Sequence, residues 1–380
     1  MSLATVVGLI AFSVVSFVFS LIFLLGIATA FGGSEPKIAS EGILKVDMST
    51  FILTEQSTES NPMEMISGGE KMIENIGIWD AVRTINTAAD DPAVKFIYLL
   101  PDMAMGETAQ IEEFRTALQN FKDSGKAVIS FIENPTNAGY YLASVADKIY
   151  MTPYEGFMNN FTGVSSQMIF LKDILDKIGV NVQLIRHGKY KSAGEMFIRS
   201  SSSKENLEQN TAMVTSMWNS WASEIAESRE ITVAELNAML DNLELNFPTD
   251  WVEHGLVDEL FTREQLQQQI ADLYVTEKYE DVKSISLEDY ATLKNTVNYK
   301  AKKKVAVIYA EGNIVDGSAK QGVAGDRFEK IIADVRKDTT VKAVVLRVNS
   351  PGGSVLASEK IKTELDLLQE RVPVIASYGD

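Results

Sequence analysis

The amino-acid sequence predicts an α/β protein, a mainly parallel sheet layered with helices, and it predicts that architecture twice in tandem. Three observations carry this. Short apolar or β-branched runs alternate with amphipathic helical segments along most of the 380 residues. One series of these elements returns later in the chain at a nearly fixed distance, and a period that long marks duplicated domains, not a solenoid. The stretch from Val344 to Leu368 reads as a buried strand, a glycine turn and a helix.

The elements can be justified in order. From Leu3 to Phe31 there is no charged residue, and the run is rich in Val, Ile, Leu and Phe. It is long enough to cross a bilayer as a tilted helix, so residues 1–33 are expected to be a membrane anchor. A cleaved signal peptide is the competing reading, helped by Ala28-Thr29-Ala30. The apolar run is about twice the usual length for a signal peptide and lacks a positive start, which favours a retained anchor.

Residues 40–275 form the first predicted domain. Strands are expected at Ile43 to Asp47, Val94 to Leu100, Val128 to Phe131, Lys148 to Met151 and Asn181 to Ile185. Helices are expected through Phe114 and Leu118, from Ala138 to Ser144, from Met168 to Ile178, and from Glu205 to Arg229 with Trp218 and Trp221. A further turn and short helix fall between Trp251 and Phe261. Residues 276–304, charged and weakly periodic, read as a connection. Residues 305–380 repeat the opening of the first domain: Val94 matches Val341, an offset of 341 − 94 = 247, and Val128 matches Val374, an offset of 374 − 128 = 246.

The turn in the second copy is Asn349-Ser350-Pro351-Gly352-Gly353. Proline fixes one φ, the two glycines permit positive φ, and Ser354 is placed to cap a helix with an apolar stripe of Ala357, Ile361, Leu365 and Leu368. Such a turn aims backbone N–H groups at one spot. That is an anion cradle, of which an oxyanion hole is one use and an ordinary strand-to-helix turn the plain alternative.

Composition narrows the function. A net charge of −17 leaves no basic stripe to neutralise phosphates, so nucleic acid is not expected as a partner. There is no cysteine, which excludes disulfides, thiolate chemistry and cysteine metal sites. Only His187 and His254 are available for histidine chemistry, and both read as surface loop residues.

With both copies laid out, the chain resembles the long, duplicated form of signal peptide peptidase A, a membrane-anchored serine-lysine peptidase family with a crotonase-like (Clp-type) fold. The resemblance rests on Leu346 to Ser354, on Tyr190-Lys191-Ser192-Ala193 with Glu195 and Phe197 following, and on the degenerate Gly139-Tyr140-Tyr141-Leu142-Ala143-Ser144. It implies two tandem crotonase-like domains, the second incomplete. It implies Lys191 as general base, with Tyr190, Ala193 and Phe197 as an apolar wall, because a lysine deprotonates serine only when burial leaves it neutral. It implies Gly352 and Gly353 as oxyanion donors, and no cofactor or metal.

The family's nucleophilic serine stands in a small-residue motif whose first-copy counterpart here holds Asn137. The repeat offset puts the second-copy serine three or four residues beyond Asp380, so this chain is expected to lack it and to be the first part of a longer protein. Ser350, Ser354, Ser358 and Ser377 are poor substitutes. The resemblance further implies peptide substrates, particularly cleaved signal peptides, a homotetramer, and a single-pass protein of the cell membrane with its catalytic part on the non-cytoplasmic side. Two other readings stay open: an inactive scaffold within such an assembly, and a crotonase-type acyl-CoA enzyme.

Overall fold

Val, Ile, Leu and aromatic residues dominate the runs that become strands, and every strand pair among the described residues is parallel. The computed structural model describes residues 41–57, 73–295 and 300–379. The expected membrane anchor lies outside these residues, and among those described no helix is long and apolar enough to cross a membrane.

The first series opens with β1 (Gly42–Asp47), β2 (Phe51–Thr54) and β3 (Glu74–Gly77), then helix α1 (Ile78–Asp90) and β4 (Val94–Leu100). It continues with α2 (Thr108–Asp123), β5 (Val128–Ile132), α3 (Asn137–Ala143) and β6 (Lys148–Met151). Five short or long helices follow: α4 (Lys172–Lys177), α5 (Glu195–Ile198), α6 (Lys204–Ser228), α7 (Val233–Asp241) and α8 (Pro248–Glu253). Then come β7 (Glu259–Leu260), α9 (Arg263–Tyr274), β8 (Ser284–Ser286) and α10 (Leu287–Lys294). The main sheet has the order β7-β6-β5-β4-β1-β8, every neighbouring pair parallel.

Alternation along these strands sorts the side chains. Ile43, Phe96, Tyr98, Ile129, Phe131 and Tyr150 pack on one face against Leu266 and Ile270 of α9. Leu44, Val46, Ile97 and Leu99, at the intervening positions, are also buried. Helices α1 and α2 lie against one another, with Ile85 and Ala88 buried on one and Phe114, Leu118 and Phe121 on the other.

The second series is β9 (Lys304–Glu311), β10 (Ile314–Val315), β11 (Val323–Ala324), α11 (Gly325–Lys337), β12 (Val341–Asn349), α12 (Val355–Gln369) and β13 (Val374–Tyr378). Its sheet has the order β13-β12-β9, again parallel. Helix α11 starts 325 − 78 = 247 residues after α1, and both have 13 residues. Phe328 and Ile332 of α11 pack with Val341 and Val344 of β12 and Leu368 of α12. All described residues fall in one compact unit.

Three expectations are corrected. Asn181 to Ile185 forms no strand: it pairs with nothing among the described residues, and Ile185 is 90 % exposed. Apolar alternation alone cannot make a strand without a neighbour to supply hydrogen bonds. The helix expected over Met168 to Ile178 contracts to α4, six residues none of which is buried, too short to gain from a packed face. The stretch read as a connection contributes β8, which pairs with β1, and α10, whose Leu287 and Tyr290 are fully buried.

Candidate functional site

The glycine turn follows directly from β12. Gly352 and Gly353 take φ of +100° and +154°, and a Cβ on Gly353 would lie 2.0 Å from the Ile314 carbonyl oxygen, so no larger residue fits there. The close approach is used: Ile314 N donates to Gly352 O at 2.9 Å and Ser354 N donates to Ile314 O at 2.9 Å. Ser354 caps α12, its Oγ accepting from Ala357 N at 3.2 Å. Gly352 N donates to Ser350 Oγ at 3.2 Å, whereas no such partner is found for Gly353 N among the described residues. Of the two expected oxyanion donors, Gly353 is therefore the one not already engaged.

The four alternative serines are each tied locally. Ser350 Oγ donates to Gly312 O, Ser354 Oγ to Asp316, and Ser358 Oγ to Ser354 O, while Ser377 Oγ accepts from Arg347 at 3.0 Å. None faces a base.

Lys191 lies at the tip of a loop before α5 and is exposed. It lines an open groove of about 760 Å³ with His187, Tyr190, Glu208 and Gln209. Tyr190, Ala193 and Phe197, expected to wall it in, are all exposed, so they do not supply the apolar enclosure the sequence suggested. No residue of the glycine turn lines the Lys191 groove. The described residues thus do not bring base and oxyanion donors into one cavity.

The base of the Lys191 loop is closed by a buried carboxylate. Glu195 is 0 % exposed; its Oε1 accepts from Arg186 Nη1 at 2.9 Å and its Oε2 from Ser203 N at 3.0 Å. Burial alone pushes this carboxyl up, but the hydrogen bonds from Ser203 and then the Arg186 guanidinium outweigh it and hold the group down at about 2. The sequence shows Glu195 without its partners, which only the folded loop reveals.

Asn137, which the sequence spacing sets opposite the expected nucleophile, is a brace. Asn137 Oδ1 accepts from Thr162 N and Gly163 N at 2.9 and 3.1 Å, and its Nδ2 donates to Gly163 O at 2.7 Å. Beside it, a cavity of about 640 Å³ opens at the carboxyl ends of β1, β4 and β5, lined by Asp47, Asp102, Phe131, Glu133 and Arg263. Burial raises the Asp102 carboxyl to about 6, against the opposing N–H groups of Glu133 and Asn134, which both donate to its Oδ2.

A buried ion pair joins the two series. Arg347, on β12 just before the glycine turn, donates through Nε and Nη2 to Glu55 at 2.8 and 3.1 Å and meets Glu113 at 2.7 Å. It also donates to Tyr378 O at 3.2 Å. Its two carboxylate partners stand 292 and 234 residues away in the sequence (347 − 55 and 347 − 113), so no local pattern could have announced them.

Comparison with known proteins adds an independent line. Residues 120–276, the stretch containing Lys191, match the family described as "Peptidase family S49". The chain is 32 % identical over 362 residues to "Protease 4" of Haemophilus influenzae, covering 92 % of this chain and 58 % of that protein. It is 32 % identical over 379 residues to "Protease 4" of Salmonella typhi, covering 96 % of this chain and 60 % of the relative. To "Serine protease SPPA, chloroplastic" of Arabidopsis thaliana the identity is 28 % over 307 residues, 77 % of this chain and 44 % of the other. The chain therefore spans less than two thirds of the length of each of these relatives.

Proposed function

Because this chain belongs to the signal peptide peptidase A type of peptidase family S49, we propose that it forms part of a serine peptidase with Lys191 as general base. The observation that supports this most directly is the family match over residues 120–276, which contains Lys191 and its loop. Lys191 Nζ takes the proton of a serine hydroxyl, the hydroxyl oxygen attacks the scissile carbonyl, and the backbone N–H of Gly353 holds the oxyanion, joined by that of Gly352 once it leaves Ser350 Oγ. The lysine then returns the proton to the leaving amine, and water releases the acyl group.

The nucleophile is none of Ser350, Ser354, Ser358 and Ser377, whose hydroxyls are spent on local bonds. The substrates are extended peptides, signal peptides in particular. Two tandem crotonase-like domains follow residues 1–33, which anchor the protein in the cell membrane with the catalytic part on the non-cytoplasmic side. A homotetramer brings the Lys191 groove and the glycine turn together, which a single chain does not do among its described residues.

The test is made on the full-length gene product with a peptide substrate and a fluorophosphonate label for the acylated serine. Lys191→Ala should lower turnover by roughly 10²–10⁴-fold, the usual worth of a general base. Gly353→Ala should remove labelling as well, by misplacing the turn. Full activity in Lys191→Ala would defeat Lys191 as the base, and absence of turnover and labelling in the parent protein would leave the inactive scaffold in the peptidase's place.

A further inference from the structure

The Lys191 loop is held at two points by one guanidinium. Arg186 Nη1 donates to the Lys191 carbonyl oxygen at 2.9 Å and to Glu195 Oε1 at 2.9 Å. Glu195 is fixed in turn by Ser203 N, at the N-cap of the 25-residue helix α6. Between these anchors the chain turns tightly: Lys191 N donates to Gly188 O, Ser192 N to Tyr190 O and Glu195 N to Ser192 O. Gly194 packs on Leu184, where a Cβ would fall 2.5 Å from Leu184 Cδ1. The backbone of Lys191 is thus fixed to a long helix, while its side chain projects into the open groove.

A fully buried carboxylate in an otherwise exposed loop calls for a reason. Leaving an ionised group there without partners costs several kcal/mol, and simple loop closure needs only backbone hydrogen bonds. The particular gain here is geometric, because a single nitrogen of the planar guanidinium, Nη1, ties the Lys191 peptide carbonyl to the carboxylate that the helix cap holds.

We infer that Arg186 and Glu195 are positioning residues for Lys191, acting together to set where its amine can reach. This rests on the assignment of Lys191 as base. Neither residue touches substrate; both act through the lysine, and a displacement of about 1 Å at a catalytic group is enough to cost on the order of 10²-fold in rate.

In the full-length protein, Glu195→Gln and Arg186→Lys are made singly and in combination with Lys191→Ala, and peptide turnover, fluorophosphonate acylation and thermal unfolding are followed together. Each single variant should lower kcat about tenfold or more, with KM changed by no more than about twofold, while remaining folded. In the Lys191→Ala background neither should reduce the residual acylation rate further, since both act through the missing amine. A folded Glu195→Gln with unchanged kcat overturns the inference, as does a further loss of the same size on top of Lys191→Ala. Should Glu195→Gln fail to fold, Arg186→Lys carries the test: it keeps a positive charge beside Glu195, but the shorter side chain withdraws the donor that Nη1 offers to the Lys191 carbonyl. Full activity in Lys191→Ala itself defeats the assignment of Lys191 as base, an outcome distinct from either of these.

Discussion

The two sheets carry the same alternation of apolar side chains, but among the described residues only the first has a helix laid across that face. In the first, Ile43 is 1 % and Ile129 3 % exposed beneath Leu266 and Ile270 of α9. In the second, Val305 is 62 % and Ile375 61 % exposed on the corresponding strands. Ile375 lies 375 − 129 = 246 residues after Ile129, the same spacing as Val374 after Val128. Strand periodicity therefore fixes which side chains share a face, while the covering helix decides whether that face is a core.

The largest expected effect comes from separating the two regions at the ion pair between them. Arg347→Ala leaves the Glu55 carboxylate buried with Gln110 Nε2 as its remaining side-chain donor, at 3.2 Å. Removing one member of a buried pair typically costs about 3–5 kcal/mol, and a loss near the lower end is expected, because Glu113 is partly exposed and can turn to water. Urea unfolding would measure it; a midpoint unchanged from the parent protein would mean that the two series are held together by other contacts.

Next in size is the comparison of like residues on the covered and uncovered faces. Ile270→Ala opens a cavity under α9 and should cost about 2–4 kcal/mol, whereas Ile375→Ala should fall within about 0.5 kcal/mol of the parent. Equal losses at the two sites would show that the second face is covered in solution. Dye binding to exposed apolar surface should fall in Ile375→Thr and stay unchanged in Val46→Ile, which is buried elsewhere.

Much of this organisation was legible in the sequence. The strands β4, β5, β6 and β12 are apolar runs bounded by turn residues, and the helix expected from Glu205 to Arg229 is α6, one residue earlier at each end. Ser354 caps α12 as its position foretold. The misread elements share a physical cause. A three-residue edge strand such as β8 has too little periodicity to detect, and the alternation of Asn181 to Ile185 expresses a propensity that finds no neighbour to pair with. The site shows the same division. Lys191 and the glycines stand out by resemblance and local pattern, but the partners that hold them, Arg186 beneath the loop and Ile314 against the turn, are set by tertiary contacts.

The smallest effect compares the two turns themselves. Asp102 follows β4 as Asn349 ends β12, at an offset of 349 − 102 = 247. Asn349 donates from Nδ2 to Glu107, while Asp102 accepts two backbone N–H groups on Oδ2 and keeps Oδ1 buried without a partner. Burial leads in raising its carboxyl from 3.8 to about 6. A raised folded-state value means that the fold binds the proton more tightly than the unfolded chain. The stability this supplies is complete below pH 3.8 and is lost as pH rises through about 6. Asp102→Asn, which installs the residue of the second turn, keeps an acceptor for both N–H groups and carries no charge at any pH. It should therefore gain about 1–2 kcal/mol over the parent at pH 7. That gain should shrink steadily as the pH is lowered from 6 to 4, as followed by urea unfolding of both proteins in parallel. A difference independent of pH would mean that Asp102 stays ionised in the fold, with its second oxygen satisfied by water.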